Sequence, residues 1–387
     1  MEKLKLGDIC KIVTGSTPKT SIAEYWDGNI NWITPVELTE DTYIVNDSQR
    51  KITNRAIEET GLKSFPKGTV ILTSRAPIGK VAIAGKEMYC NQGFKNLICS
   101  SKINNKYLYW YLKGHTEYLN SLGRGATFKE ISKTIVENIE IPVPDLDTQK
   151  NCVDVLEKCN KIIKSYQKQL KSFDTLVKSR FIEMFGDPDV NNKGWNIYRM
   201  EQLCEVGSSK RIYQNEQSIR GIPFLRVSDL VNRIDTGSKE CDLYISRERF
   251  EKLKEQGLTP ASGDILLTAR GTLGRCYIIQ DGDEFYFQDG MITWLSKFDT
   301  KITPLYITYL FEMSGFRKQI VSLQSGSTVA YLSISMTKKL DVMVPPIELQ
   351  NQFADFVAQT DKSKLAVQKS LDELETLKKS LMQEYFG

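Results

Sequence analysis

The sequence predicts an α+β protein: two pseudo-two-fold-related α/β domains separated by two long antiparallel helices that form a coiled coil. Three observations carry that prediction. Leu176-Val-Lys-Ser-Arg-Phe-Ile-Glu-Met-Phe-Gly186 recurs 201 residues later as Leu377-Lys-Lys-Ser-Leu-Met-Gln-Glu-Tyr-Phe-Gly387, with six of eleven positions identical. A heptad apolar pattern leads into each copy. The stretches ahead of those patterns also repeat. Ile30 to Leu38 matches Ile222 to Leu230 at an offset of 192, and Gly68, Thr73, Arg75 and Gly79 match Gly263, Thr268, Arg270 and Gly274 at 195. Gly125, Thr127 and Ser132 match Gly326, Thr328 and Ser333 at 201, so the drift from 192 to 201 puts nine residues of net insertion inside the domains. Frameworks agree and loops differ, the pattern of two copies that keep one fold and recognise different things.

In chain order, the first domain (residues 1–146) opens with Leu4-Lys-Leu-Gly-Asp-Ile-Cys-Lys-Ile-Val and turns at Gly15 to Pro18. Ile30-Asn-Trp-Ile-Thr-Pro-Val-Glu-Leu reads as a strand running into a loop. Thr53 to Gly61 reads as a short helix closed by its glycine. Thr69 to Thr73 and Lys80 to Ala84 read as strands, and the Gly and Pro of Ser74-Arg-Ala-Pro-Ile-Gly79 predict a hairpin between them. Tyr107 to Lys113 reads as a buried helix, and Ile139-Glu-Ile-Pro-Val-Pro as a last strand stopped by prolines.

After Pro144 the period changes. Cys152, Leu156, Cys159, Ile163, Tyr166, Leu170, Phe173, Val177 and Met184 step by fours and threes, with Arg180 as the polar break. This predicts a helix over residues 147–186, with Asp145 or Asp147 as N-cap and Gly186 as stop. About 38 residues at 1.5 Å each make roughly 57 Å of helix, and one narrow apolar stripe cannot hold that length without a partner. Residues 187–346 comprise a polar linker and the second domain, which restarts at Trp195; residues 347–387 supply the partner helix. There Phe353, Val357, Val367, Leu371, Leu374, Leu381 and Tyr385 keep the seam, and Thr360, Lys364 and Lys378 interrupt it. The interruptions fit either a looser coil or a face that meets another protein. Related like subunits of an isologous dimer, the two helices run antiparallel.

Composition narrows the function classes. At 387 residues the chain is long enough for two cores, and its 41% hydrophobic and 26% charged content is that of a soluble protein. The start lacks the apolar core of a signal peptide, and no apolar run reaches membrane-spanning length, so the expected location is cytoplasmic without membrane contact. Eight cysteines without a C-x-x-C pair read as free thiols. A net charge of +4 permits nucleic-acid binding without arguing for it.

Catalytic motifs are missing. The single histidine, His115, has no partner residues at metal-ligand or catalytic spacing. The chain contains no phosphate-binding G-x-x-x-x-G-K-[ST], no strand-linked G-x-G-x-x-G and no Asn-Pro-Pro-[Tyr/Phe]. The expectation is a chain with no catalytic residue, no metal site and no cofactor of its own. What remains is basic and polar side chains on matched loops. Arg75 and Lys80 flank one hairpin turn, and Arg270 and Arg275 flank the other, with Thr73 and Thr268 beside them. Arginine forks suit phosphate oxygens or guanine O6/N7, and hydroxyls suit phosphates. Equally, Arg75 and Arg270 could pair with carboxylates and brace their loops. Gln92 and Gln288, at similar places after the hairpin, could read adenine or bond to backbone. Gly123-Arg-Gly-Ala-Thr-Phe-Lys129 and Ser325-Gly-Ser-Thr-Val329 could meet a phosphate through backbone N–H groups or be plain turns.

Gly68-Thr-Val-Ile-Leu-Thr-Ser-Arg-Ala-Pro-Ile-Gly-Lys, Gly263-Asp-Ile-Leu-Leu-Thr-Ala-Arg-Gly-Thr-Leu-Gly, Asn91-Gln-Gly-Phe, Gly326-Ser-Thr and Val344-Pro-Pro-Ile-Glu-Leu-Gln-Asn-Gln stand with the two helix ends and the restart at Gly194-Trp-Asn. In that order, over essentially the whole chain, these stretches resemble the specificity subunits of type I restriction–modification systems. The resemblance implies that each domain is a target recognition domain reading one half of a bipartite duplex DNA sequence. It implies helices that act as a ruler and dock modification subunits. S-adenosylmethionine would then sit on the modification subunits, and ATP and Mg on partner subunits including a restriction subunit. The DNA-facing candidates are Thr73, Ser74, Arg75, Lys80, Gln92, Arg124, Thr127 and Lys129, then Thr268, Arg270, Thr272, Arg275, Gln288, Ser327 and Thr328. Those for the helix seam and docking are Leu156, Ile163, Leu170, Val177, Val357, Leu371, Leu374 and Leu381. One departure stands out: Pro142-Val-Pro-Asp-Leu-Asp-Thr-Gln lacks the Glu-x-Gln of Glu348-Leu-Gln350, which leaves the first helix's start open. The alternative function is a non-catalytic, two-headed protein-interaction scaffold that binds no DNA. Selective retention of one duplex sequence separates the two.

Overall fold

The computed structural model describes residues 2–75, 77–125, 129–323 and 330–387. The chain packs as two units, residues 1–167 with 369–387 and residues 168–368.

In the first unit the strands Val70–Thr73 and Val81–Ala84 form the expected antiparallel hairpin. They lie inside a five-stranded sheet with Cys10–Thr14, Phe94–Cys99 and Ile44–Val45. All four residues of each hairpin strand are buried. Such runs read as continuous apolar stretches because both sheet faces are covered. Val70, Leu72, Val81 and Ile83 join the core under the helix Asn105–Gly114, whereas Ile71, Ala82 and Ala84 face Ile33, Phe65 and Phe94 on the other side. A second sheet orders Arg50–Ile52, Trp26–Ile33 and Tyr89–Cys90, the last pair parallel. The helix Asn54–Thr60 closes on left-handed Gly61 (φ 64°), as predicted, and Thr53 stands just outside it as N-cap.

The second unit repeats this construction. Ile265–Thr268 pairs antiparallel with Cys276–Ile278 and with Ile292–Ser296. Ile265 and Leu267 face the helix Pro304–Glu312, while Leu266 packs with Leu225 and Phe287. Ile222–Leu225 runs parallel to Tyr286–Phe287, matching the parallel pair in the first unit.

Two forty-residue helices, Leu146–Phe185 and Ile347–Phe386, each contribute to both units. Asp145 is the N-cap of the first: its carboxylate accepts the Thr148 N–H at 2.9 Å and the Thr148 hydroxyl at 2.7 Å. The helices run antiparallel. In the first unit Cys152, Val153 and Leu156 share a core with Phe386, and Lys378 donates to Asn160 at 3.0 Å. In the second, Val177, Phe181 and Phe185 share a core with Phe353 and Val357, and Lys364 donates to Asp174 at 2.7 Å. Of the predicted seam, Leu156, Ile163, Val177, Val357 and Leu371 are buried, and Leu170, Leu374 and Leu381 are half-buried.

The interrupting residues are accommodated by partners. Thr360 donates to the Phe356 carbonyl, Lys364 takes Asp174, and Lys378 takes Asn160 while lying over the Trp110 ring. Burial, then the charges of Lys113 and Lys164, pull the Lys378 pKa down. One expectation needs correction. At the end of the first helix the seam does not simply step from Val177 to Met184, because Phe181 and Phe185 are both fully buried. There the helix meets the globular part as well as its partner helix: Tyr306 lies 5.3 Å from Phe181 and 5.0 Å from Phe185.

Candidate nucleic-acid interface

Strand topology sets four turns of the first unit side by side. Ile33 and Cys90 are register partners at the ends of parallel strands, so the turns that follow them emerge together. Asn91 N–H donates to the Ile33 carbonyl at 3.1 Å, and Ser74 N–H donates to the Gly93 carbonyl at 2.8 Å, which brings the hairpin connection alongside. The segment from Gly15 is the fourth. A Cβ on Gly15 would lie 2.2 Å from the carbonyl oxygens of Cys90 and Asn91, an approach only glycine allows. The turn Pro35–Glu37 is closed at both ends: Glu37 accepts from the Thr34 N–H at 2.7 Å and from the Gln49 N–H at 2.7 Å.

The second unit builds the same cluster with other side chains. Gln288 N–H donates to the Leu225 carbonyl, and Ala269 N–H to the Met291 carbonyl, both at 2.9 Å. Gly290 N–H donates to Ser208 at 3.2 Å. Arg226 takes the place of Thr34, with its own N–H and guanidinium bonded to Asp229, and Asp242 at 2.9 Å. Bonds donated to Asp229 and Asp242 raise the Arg226 pKa above its ordinary value.

Several predicted DNA-facing residues are structural instead. Thr73 and Thr268 are fully buried and tie the hairpin connections. Thr73 Oγ1 donates to the Pro77 carbonyl at 2.7 Å and accepts the Lys80 N–H at 2.9 Å; Thr268 Oγ1 donates to the Thr272 carbonyl and accepts the Arg275 N–H at 3.0 Å. Ser74 is also fully buried, against the Lys95 ammonium. Those three hydroxyls face inward because they satisfy backbone and amine groups that would otherwise be buried without partners. Lys80 is committed as well, donating to the Leu38 carbonyl at 2.6 Å, and Arg275 is paired with Asp235.

Other candidates are open to solvent. Arg124, Lys129, Arg270 and Thr272 are exposed, and Arg75 is half-buried with no recorded ion pair among the described residues. Arg75 and Arg270 are structural equivalents, each in a backbone bridge, to Glu130 and to Tyr331 respectively. Neither braces its loop through a carboxylate among the described residues; Arg270 instead lies 4.9 Å over the Tyr331 ring. Gln92 is exposed and accepts from the Thr17 hydroxyl. Its expected counterpart Gln288 is half-buried, and the strand register aligns Gln288 with Asn91, because the second unit's turn carries one extra residue. Thr127, Ser327 and Thr328 lie outside the described residues.

Sequence reasoning overlooked Lys95. It is buried beneath the first cluster, with its ammonium 3.1 Å from Ser74 Oγ and 3.2 Å from Glu130. By strand register its counterpart is Thr293, and Glu130 is replaced by Tyr331. One unit therefore supports its turns on a buried ammonium paired with a part-exposed carboxylate, the other on an arginine over a tyrosine ring. Only the lone charge in the apolar strand Phe94–Cys99 could have flagged it. Among the described residues no group of His, Cys, Asp and Glu could hold a metal ion, and no helix is long and apolar enough to cross a membrane.

The comparisons agree with this doubled plan. The family model for the type I restriction modification DNA specificity domain matches twice, at residues 1–172 and 192–376. The chain is 30% identical over 402 residues to the type I restriction enzyme MjaIX specificity subunit of Methanocaldococcus jannaschii, covering 98% of this chain and 90% of that one. It is also 30% identical over 290 residues to a putative type I restriction enzyme specificity subunit of Haemophilus influenzae, covering 72% of this chain and 66% of that one. Among solved structures, the S subunit of a type I restriction–modification system from M. genitalium has a TM-score of 0.56 at 15% identity, covering 100% of this chain and 96% of that one. A chain solved in work on complex assembly and conformational transition of the type I R–M system has a TM-score of 0.65 at 15% identity, covering 99% and 97%.

Proposed function

The chain belongs to the family of type I restriction–modification DNA specificity subunits, and from that premise we propose that its two turn clusters read the two halves of a bipartite duplex DNA target. It is the specificity subunit of such a complex, a non-catalytic component. The observation that carries the reading is the pair of clusters. The same backbone bonds hold the turns in both units, Asn91 to Ile33 and Gln288 to Leu225, while the exposed side chains differ. A common frame with different tips is what two unlike half-sites require.

In this reading the exposed cations Arg124, Lys129 and Arg270 meet phosphates or guanine edges, and the half-buried Arg75 lies beside them. The long helices serve as the ruler between half-sites and as the dock for modification subunits. The modification subunits carry S-adenosylmethionine, and a restriction subunit carries the ATP-driven work. Location in the cytoplasm, where the DNA and those partners are, belongs to the same proposal.

Methylation mapping of host DNA with the gene intact and deleted tests it. The expected result is a bipartite modified motif that vanishes on deletion. An unchanged methylome, in cells where the chain and a modification subunit are expressed and assembled, would overturn it.

A further inference from the structure

Resting on the DNA-reading function above, we propose that Val36 is a specificity residue of the first unit, its isopropyl group packing on the 5-methyl of a thymine. Val36 is 80% exposed at the centre of the turn Pro35–Glu37, while Pro35 before it is buried. A single exposed valine is unremarkable on most surfaces. Three features set this one apart.

The first is rigidity. Glu37 ties the turn to the Thr34 and Gln49 N–H groups, so the backbone is held from both sides of Val36. The side chain is β-branched and stiff at χ1, so little freedom remains to be lost on contact. The second is placement. A Cβ on Gly93 would come within 2.9 Å of Pro35 Cγ and 3.5 Å of Arg75 Nε, so the turn and the arginine flank one glycine. Gln92 is the next residue, exposed, on the same turn. An apolar tip among polar groups suits a major-groove edge, where the thymine methyl is the apolar feature of the base-pair code. The third is the other copy. Strand register puts Ser228 at this place in the second unit, exposed in the first turn of the helix Val227–Thr236. There Asp229 ties back to Arg226, and the Ser228 hydroxyl donates to Asp229 at 3.5 Å. The frame is kept and the tip changes from methyl-bearing to hydroxyl-bearing, a difference in what can be read.

The test uses the full chain assembled with its modification subunits and duplexes in which each thymine of the target is replaced singly by deoxyuridine, which lacks only the methyl. Burying one methyl group is worth about four-fold in binding. One substitution should therefore weaken wild-type binding about four-fold, and Val36→Ser should bind the thymine and uracil duplexes alike. A mismatch in the other half-site should cost the variant as much as the wild type, which establishes that its fold and second unit are intact. The proposal is overturned if no uracil substitution affects the wild type, if the target half lacks thymine on both strands, or if Val36→Ser keeps the same thymine preference. A complex that discriminates between no duplex sequences would instead remove the DNA-reading function, and this proposal with it.

Discussion

Gln149 and Gln350, 201 positions apart, make the same bonds in their respective units. The side-chain carbonyl of Gln149 accepts the Asn104 N–H at 2.7 Å, and that of Gln350 accepts the Thr303 N–H at 2.8 Å. Each amide N–H₂ donates twice: Gln149 to Lys102 at 3.0 Å and Pro144 at 2.8 Å, Gln350 to Lys301 and Pro345, both at 2.9 Å. Both glutamines are fully buried. One side chain in each unit thus joins a long helix to the start of a domain helix and to the segment leading into it.

Gln350→Leu removes those three bonds, and a fourth from the Thr303 hydroxyl at 3.2 Å, and leaves buried backbone groups without partners. Each such group costs about 1–3 kcal/mol, less whatever water can recover. The expected loss is about 2–4 kcal/mol in denaturant unfolding of the second unit, with Gln149→Leu doing the same to the first. A change below about 0.5 kcal/mol for either would refute the role.

Phe353 lies 5.5 Å from Phe181, 5.4 Å from Phe185 and 5.2 Å from Tyr309, fully buried where helix and globular part meet. Phe353→Ala should cost about 3–5 kcal/mol. Leu365→Ala, on the same helix but 72% exposed, should stay within about 0.5 kcal/mol. Thermal melts of the two variants in parallel check the contrast.

Glu157 gives a pH signature. Burial works to raise its pKa, but bonds from the Lys106 ammonium at 2.8 Å and the Tyr43 hydroxyl outweigh burial, and the net shift is downward. A carboxylate depressed on folding contributes stability above its unfolded pKa of about 4.3, and that contribution is lost as pH falls through the folded value. Glu157→Gln should therefore flatten the fall in stability below about pH 4.3. Parallel acid-denaturation curves for the two proteins would contradict the assignment.

Arg270 and Thr268 sit two residues apart and should fail differently. Arg270→Ala, removing an exposed side chain, should weaken binding to the second half-site by about 1–3 kcal/mol with little change in unfolding, if the fork meets a base. Thr268→Val breaks the two hydroxyl bonds that close the hairpin. It should lower stability by about 1–2 kcal/mol and leave the modified motif unchanged. Unfolding curves together with the methylated motif of each variant decide the matter.

How much of this was legible in the sequence depended on whether a feature has a period. The two long helices, the hairpins and the doubled plan follow from spacing, and the antiparallel seam from the repeat at 201. Asp145 as N-cap was one of two readings; its bonds to Thr148 select it. The direction a polar side chain takes has no such period. Thr73, Ser74 and Thr268 are polar residues beside turns, yet all three point inward to satisfy groups that only the folded chain brings near. Lys95 sits in an apolar strand next to Asn96, and the partners that hold its ammonium, Ser74 and Glu130, lie 21 and 35 positions away in sequence. The match of Gln92 with Gln288 failed for a plainer reason: one inserted residue moves the equivalence to Asn91.

Closing the turns at Thr34–Glu37 and Arg226–Asp229 from their ends has a consequence for descent. Val36 and Ser228 are exposed, and the bonds that hold each turn use its flanking residues. A point mutation at Val36 alters the presented surface without touching those bonds, and one at Ser228 loses only a long 3.5 Å bond from its hydroxyl to Asp229. Under the proposed DNA-reading role, lineages can then change what is recognised at these places by single steps that keep the backbone bonds of the turn. Selection for remaining folded and selection for what is recognised act on different atoms of the same turn.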